Sequence, residues 1–194
     1  MRIGIISDVH GDLETLEATL EKLEHHHQVT HVLSAGDLVG RGPEQNRVVE
    51  VHRERSIIAV RGNHDDYFSG ITRENAAYLK SLPIDWRGQL DGLRFFMCHG
   101  KPGNNMWGMY RDHLSGTYLK MVLASLKTDV LVTGHTHMPL FLRVENGCIV
   151  NPGSLYTFES SRATSHTYGV LHLPTLDFEL FDSRIGELIP TPWK

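Results

Sequence analysis

Short runs rich in isoleucine, valine and leucine recur along the chain and stop abruptly at polar residues: Arg2–Ile6, His31–Leu33, Ser56–Val60, Leu93–Met97 and Asp129–Val132. Runs of this length and composition read as buried β-strands. Between the first two, Leu13, Leu16, Leu20 and Leu23 recur at spacings of three and four, with acidic residues on the other face and Asp12 in a capping position. That spacing predicts an amphipathic helix ending near His25. Pro43 at a first helical turn, followed by Val48, Val49 and His52, predicts a second helix; Arg73–Leu82 and Leu114–Leu126 predict two more. Alternating strand and helix implies an α/β fold with largely parallel pairing.

After Gly134 the pattern changes to closely spaced strands at Leu140–Val144, Cys148–Val150, Thr167–Leu173 and Phe178–Phe181. Asn146-Gly147 is a strong hairpin signal. The second half therefore reads as mostly antiparallel, a second sheet packed on the first. No repeat, low-complexity tract or linker interrupts the 194 residues, so a single domain over 1–194 is expected.

Composition narrows the function classes. With 40% hydrophobic and 22% charged residues the chain is neither disordered, collagen-like nor a coiled coil. A formal charge of -4 offers no general basic surface for nucleic acid or anionic membrane. The opening MRIGIIS is far too short for a signal segment or a membrane span, which makes a cytoplasmic protein the expectation. Cys98 and Cys148 lie in apolar runs and read as free, buried thiols.

Thirteen histidines are many for this length, and histidine is the commonest metal ligand. Each apolar run of the first two thirds is followed by residues suited to binding a metal: Asp8-Val9-His10, Gly36-Asp37, Gly62-Asn63-His64, His99-Gly100 and Gly134-His135-Thr136-His137. In open α/β sheets ligands bind at the carboxyl ends of the strands, so the five segments are expected to converge. A mixed set of carboxylate, imidazole and amide donors suits manganese, iron, zinc or cobalt rather than a thiolate zinc site. Two histidines and two aspartates would complete one ion; an aspartate, an asparagine and two histidines would complete another. One shared aspartate would set the ions about 3.5–4 Å apart, the two-metal spacing of phosphoryl transfer. Singly, such a segment is more often a polar turn at a strand exit than a metal site; the joint occurrence in order is what points to metal.

In this order the five motifs resemble those of the calcineurin-like metallophosphoesterases. Further detail at Gly36-Asp37-Leu38-Val39-Gly40, His99-Gly100-x-Pro102 and Asn151-Pro152-Gly153-Ser154 is similar to the small prokaryotic phosphodiesterase branch. The resemblance implies a four-layer αββα sandwich of two mixed β-sheets flanked by helices. It implies that Asp8, His10, Asp37 and His137 hold one divalent ion, and that Asp37 bridges to a second held with Asn63, His99 and His135. It leaves His64 free to meet the substrate as general acid or electrostatic stabiliser while hydroxide attacks phosphorus. Manganese is the family's usual ion; iron, zinc and nickel are compatible with the same ligands. The implied partner is a small phosphate ester.

Arg41 departs from the branch pattern, where an aromatic residue usually stands. Gly36 to Gly42 also resembles the phosphoprotein phosphatase and diadenosine tetraphosphate hydrolase branch, in which an arginine here clamps phosphate. Those enzymes carry an aspartate at the position of Gly40, which is missing. Phosphodiester hydrolysis is the first expectation, and a phosphomonoesterase or nucleoside polyphosphate hydrolase using Arg41 the alternative. A non-catalytic scaffold, as in the retromer subunit of this fold, is the third; the presence of His64 argues against it.

The remaining signals are two-sided. The loop carrying Met106, Trp107, Met109, Tyr110 and Arg111 reads as a substrate platform or as packing against the sheet or a neighbour. Asn151–Ser154 reads as a site rim or a simple turn. Arg162 and His166 read as surface, and His25, His26 and His27 as cations at a helix C-terminus. His31, His52, His113 and His172 carry no motif. The proline-rich end, 189–194, reads as a loose tail; docking on a neighbour would make a homo-oligomer.

Overall fold

The computed structural model describes residues 1–67, 69–156 and 165–190. Its strands are β1 (Arg2–Ile6), β2 (His31–Ser34), β3 (Ile58–Ala59), β4 (Asp85–Leu90), β5 (Leu93–Cys98), β6 (Val130–Val132), β7 (Leu140–Val144), β8 (Gly147–Asn151), β9 (Thr167–His172), β10 (Asp177–Asp182) and β11 (Leu188–Ile189). The helices are α1 (Leu13–Glu21), α2 (Gln45–Glu54), α3 (Arg73–Ser81) and α4 (Gly116–Leu126). One sheet has the order β11-β10-β9-β1-β2-β3, the other β4-β5-β6-β8-β7. In the first, β1, β2 and β3 are parallel and β9, β10 and β11 antiparallel. In the second, β5, β6 and β8 are parallel and the edges β4 and β7 antiparallel.

Side-chain alternation along the strands builds three apolar layers from the two sheets. Ile3, Ile5, Phe95, Met97, Val130, Val132 and Val150 meet between the sheets. Ile6, Tyr168 and Val170 turn the other way, onto Leu16, Leu20, Val48 and Leu79 from α1, α2 and α3. Phe96, Leu131 and Ile149 face outward onto Leu119 and Leu123 of α4. The result is the expected helix–sheet–sheet–helix sandwich. Asp12, Thr72 and Ser115 cap α1, α3 and α4 through side-chain oxygens that accept main-chain N–H bonds. Among the described residues no helix is long and apolar enough to cross a membrane.

Several expectations need correction. β9 and β10 do not belong to the second sheet; they close onto the first beside β1. The centre of the second sheet is parallel rather than antiparallel. The turn at Asn146-Gly147 does join an antiparallel hairpin, β7 to β8. β4 was not predicted, because DWRGQL is an edge strand with exposed alternate positions and a glycine inside. Asp91 and Gly92, both with positive φ, turn it into β5. α2 begins at Gln45 and α4 at Gly116, each two residues later than predicted. Ile189 pairs with Leu180 as a strand, not a tail, while residues 191–194 and Arg162 lie outside the described residues. His166 is half-buried, its Nδ1 3.1 Å from the Leu155 carbonyl oxygen.

Candidate metal centre

Every residue singled out for the metals follows the carboxyl end of a parallel strand: Asp8 and His10 after β1, Asp37 after β2, Asn63 after β3, His99 after β5, His135 and His137 after β6. Main-chain bonds staple these loops together. The N–H groups of Asp8 and His10 donate to Gly36 O (3.0 Å) and Asp37 O (2.9 Å), and that of Gly134 to His99 O (2.7 Å). The two sheets meet where the His135 N–H donates to Asp8 Oδ2 at 3.0 Å. Asp8, His10, Asp37, His135 and His137 all have φ between 51° and 68°. For residues with a Cβ this left-handed backbone costs roughly 1–2 kcal/mol each, so the packing around the loops must hold it.

Hydrogen bonds to the main chain fix which ring nitrogens face the cluster. His10 Nδ1 lies 3.1 Å from Val39 O and His99 Nδ1 2.7 Å from Ala35 O, so each donates there and turns its Nε2 inward, the nitrogen that an ion would meet. His99 Nε2 then faces only acceptors or lone pairs: Asn63 Oδ1 at 3.1 Å, Asp37 Oδ2 at 3.3 Å and His135 Nδ1 at 3.3 Å. His10 Nε2 faces His137 Nε2 at 3.2 Å, Asp37 Oδ2 at 3.7 Å and Asp8 Oδ1 at 3.8 Å. Asp8 Oδ2 accepts from Ser7 Oγ at 2.6 Å, and its buried Oδ1 lies 3.1 Å from His137 Nε2. Asp37 Oδ2 lies between the two knots.

Donor atoms this close repel unless a proton or a metal cation sits among them. Ligands about 2.1 Å from one ion are separated by about 3.0–3.4 Å at octahedral or tetrahedral angles, which is the spacing seen around His99. Asp8, His10 and His137, and likewise Asp8, Asp37 and His99, offer atoms within 4.8 Å of one another. The fully buried Asp8 carboxylate and the all-nitrogen-and-oxygen donor set fit divalent ions. Cys98 and Cys148 take no part; burial pushes both thiols up to about 12.

The electrostatics agree with that demand for positive charge. Burial works to raise the Asp8 carboxyl, but the imidazoles of His137, His99 and His10 hold it below the usual carboxylate range. Burial opposes a charge on His99, yet Asp37 and Asp8 outweigh it and raise the ring to about 9. Burial drives His10 down to about 4.

His64 and Arg41 stand at the rim. The His64 N–H donates to Asp37 Oδ1 at 2.8 Å, and its half-buried ring meets the His10 ring edge-on at 5.0 Å. Arg41 Nη2 lies 3.3 Å from His64 Nε2. Burial lowers the His64 ring, Asp37 opposes this, and Arg41 reinforces it. At Gly40, φ is +116°, and a Cβ would come within 2.8 Å of His64 Cβ. A side chain at position 40 would therefore displace His64.

Two structural roles had no assignment in the sequence. Asp65, fully buried, accepts N–H bonds from Asp37, Leu38, Val39 and Gly62 at 2.8–3.2 Å and so shapes the loop that carries Asp37. Its neighbour Asn63 marks the motif, but nothing local reveals partners 26–28 residues away. Asn151–Ser154 is a brace rather than a rim: Asn151 Nδ2 donates to Gly134 O at 2.8 Å and Ser154 Oγ to Asp8 O at 2.9 Å.

Comparison with known proteins carries the same message. The family model of the calcineurin-like phosphoesterase superfamily domain matches residues 1–175. Phosphodiesterase YfcE of Escherichia coli (strain K12) is 30% identical over 184 residues, covering 88% of this chain and 87% of its own. Its solved structure superposes with a TM-score of 0.66 over 98% of this chain and 97% of that one, at 25% identity. Phosphodiesterase MJ0936 of Methanocaldococcus jannaschii is 29% identical over 163 residues, covering 79% of this chain and 83% of its own. The fold also matches hypothetical protein PH1004 from Pyrococcus horikoshii OT3, with a TM-score of 0.81 over 93% of this chain and 86% of that one, at 19% identity. The chain belongs to the calcineurin-like phosphoesterase superfamily, in the small prokaryotic branch that holds these phosphodiesterases.

Proposed function

We propose that the protein hydrolyses phosphodiesters with two divalent ions, one held by Asp8, His10, Asp37 and His137 and the other by Asp37, Asn63, His99 and His135. The observation that carries this reading is the convergence of imidazole, carboxylate and amide donors from five loops on two points either side of Asp37 Oδ2. Divalent ions bound there supply a water of lowered pKa and neutralise the phosphoryl oxygens; manganese is the expected ion, with iron, zinc and nickel compatible.

The chain's own residues orient and protonate. Asp37 is held by the His64 N–H, so the ligand and the rim histidine move as one unit. In the free protein Arg41 donates to His64 Nε2, which puts the imidazole proton on Nδ1. When Arg41 turns onto a phosphate oxygen, Nε2 is released to take up a proton and pass it to the departing ester oxygen. Manganese-dependent hydrolysis of a chromogenic aryl phosphodiester, abolished in Asp37→Ala, is the expected result; unchanged turnover in that variant rejects the reading.

A second reading rests on Arg41 itself, since a guanidinium within 3.3 Å of the rim histidine can clamp a terminal phosphate. Phosphomonoesters or nucleoside polyphosphates are then the substrates. Arg41→Ala separates the two: a loss confined to monoesters and polyphosphates supports the second, and an equal loss on diesters the first.

A further inference from the structure

The segment after His99 folds back through a Lys101–Asn104 bridge and then runs to α4, and the loop and helix together enclose a groove of about 590 Å³. That volume is within the range of small-molecule sites. Four of the eleven large hydrophobic side chains exposed among the described residues line it: Trp107 at 66%, with Tyr110, Tyr118 and Met121. No aspartate or glutamate is among its lining residues, and Lys101 Nζ stands 5.4 Å from the centre of the Trp107 ring. Aromatic faces beside an ammonium, with no carboxylate near, suit a flat ring attached to an anion.

The groove shares a wall with the candidate metal centre. Gly108 lines it, and Gly108 packs so tightly that a Cβ there would collide with Thr136 Cγ2 and come within 3.2 Å of His135 Cδ2. Gly100, next to His99, is pressed against the same loop, where a Cβ would lie 2.7 Å from the Trp107 carbonyl oxygen. Two of the candidate ligands therefore back onto the loop that carries Trp107.

We propose that the groove is a subsite for a nucleobase-sized aromatic ring, which stacks on Trp107 beside Lys101 while its phosphate lies at the metal centre. The assignment rests on the phosphodiesterase reading and narrows the substrate to nucleosidyl phosphodiesters. The Trp107 ring is mostly exposed, so replacing it leaves the packed layers untouched.

The first arm of the test needs no catalysis. Saturation-transfer NMR with adenosine and the full chain in chelator should show binding in the wild type and in Asp37→Ala. Binding should be lost in Trp107→Ala and kept in Trp107→Phe. In the second arm, manganese-loaded protein hydrolyses adenosine 5′-(trifluoroethyl phosphate) and methyl trifluoroethyl phosphate, which share a non-aromatic leaving group. Trp107→Ala should lower the adenosyl-to-methyl ratio of kcat/KM about tenfold, the loss expected when one base–aromatic stack is removed, and Trp107→Phe should retain most of it. If adenosine does not bind and the ratio is unmoved while both esters are still cleaved, the subsite is rejected and the phosphodiesterase reading stands. If adenosine binds through Trp107 but no diester is cleaved, the ring-binding groove is supported and the phosphodiesterase reading fails. A wild-type dimer that Trp107→Ala dissociates, with no adenosine binding, makes the groove a contact between copies and overturns the proposal.

Discussion

Replacing Asp65 by asparagine changes one oxygen to an amide nitrogen at a residue that is not itself assigned to an ion. Asp65 Oδ2 accepts from the N–H groups of Asp37 at 3.0 Å and Gly62 at 2.8 Å, and Oδ1 from those of Leu38 at 2.8 Å and Val39 at 3.2 Å. Whichever end of the asparagine carries the NH2, that donor faces two main-chain donors in a fully buried place. Each buried N–H left without an acceptor costs about 1–3 kcal/mol, so with two of them the variant should lose about 2–6 kcal/mol of stability. A typical domain has about 5–15 kcal/mol in total, so the fold should survive with a lower unfolding midpoint.

The same change should move the loop that presents Asp37. Partners behind the ligands typically contribute about ten- to a hundredfold in metal affinity. Urea unfolding in chelator reads the first effect, and calorimetric titration with manganese reads the second. An unfolding free energy within about 1 kcal/mol of wild type, together with unchanged manganese affinity, refutes the assigned role. A loss of stability with affinity intact would show that Asp65 supports the fold but not the site.

Three further outcomes follow from particular contacts. Asn151→Ala leaves Gly134 O without its side-chain donor and loosens the His135–His137 loop, so manganese affinity should fall about tenfold in the same titration. Gly40→Ala puts a methyl group against His64 on a backbone with φ of +116°; kcat should fall by about one to two orders of magnitude with metal content unchanged by elemental analysis. His52 is fully buried between Val48 O and Ser34 Oγ, and burial lowers it from 6.5 to about 4. The unfolded chain therefore binds more protons between those values, and about 3 kcal/mol of stability present above pH 6.5 is lost as pH falls to about 4. Unfolding curves in chelator should show His52→Gln lacking that loss; parallel pH profiles for the two proteins would falsify the linkage.

What could be seen in the sequence depended on how local each signal was. The five polar motifs were legible because each follows an apolar run, and strand ends in a parallel sheet share one side. β4 was not, since an edge strand buries little and Gly88 and Arg87 carry no strand preference. β9 was legible as a strand but not as a member of the first sheet. Tyr168 and Val170 face the helices while Leu171 faces the opposite sheet, and a strand buried on both sides does not announce its neighbour. Among the histidines, His52 carried no motif because its partners are a carbonyl one turn back and a serine on β2. Asp65 carried no role for the same reason: three of its four partners are main-chain groups of another loop.

The strained ligands and their buried supports belong to one physical arrangement. Five of the ten non-glycine residues with positive φ among the described residues are candidate ligands, on loops after β1, β2 and β6. At roughly 1–2 kcal/mol each, that strain is comparable with the net stability of a small domain. The burial of two carboxylates, Asp8 and Asp37, adds to it. The bonds opposing this cost come from outside the donor set: Asp65 on the β2 loop, Asn151 and Ser154 on the β6 and β1 loops, and the main-chain staples between loops. Because the supports touch backbone and the ligand atoms point away from them, the donors stay fixed without losing their lone pairs. A cation that enters then recovers electrostatic energy with little further ordering of the loops, which is the condition for tight binding at a preformed site.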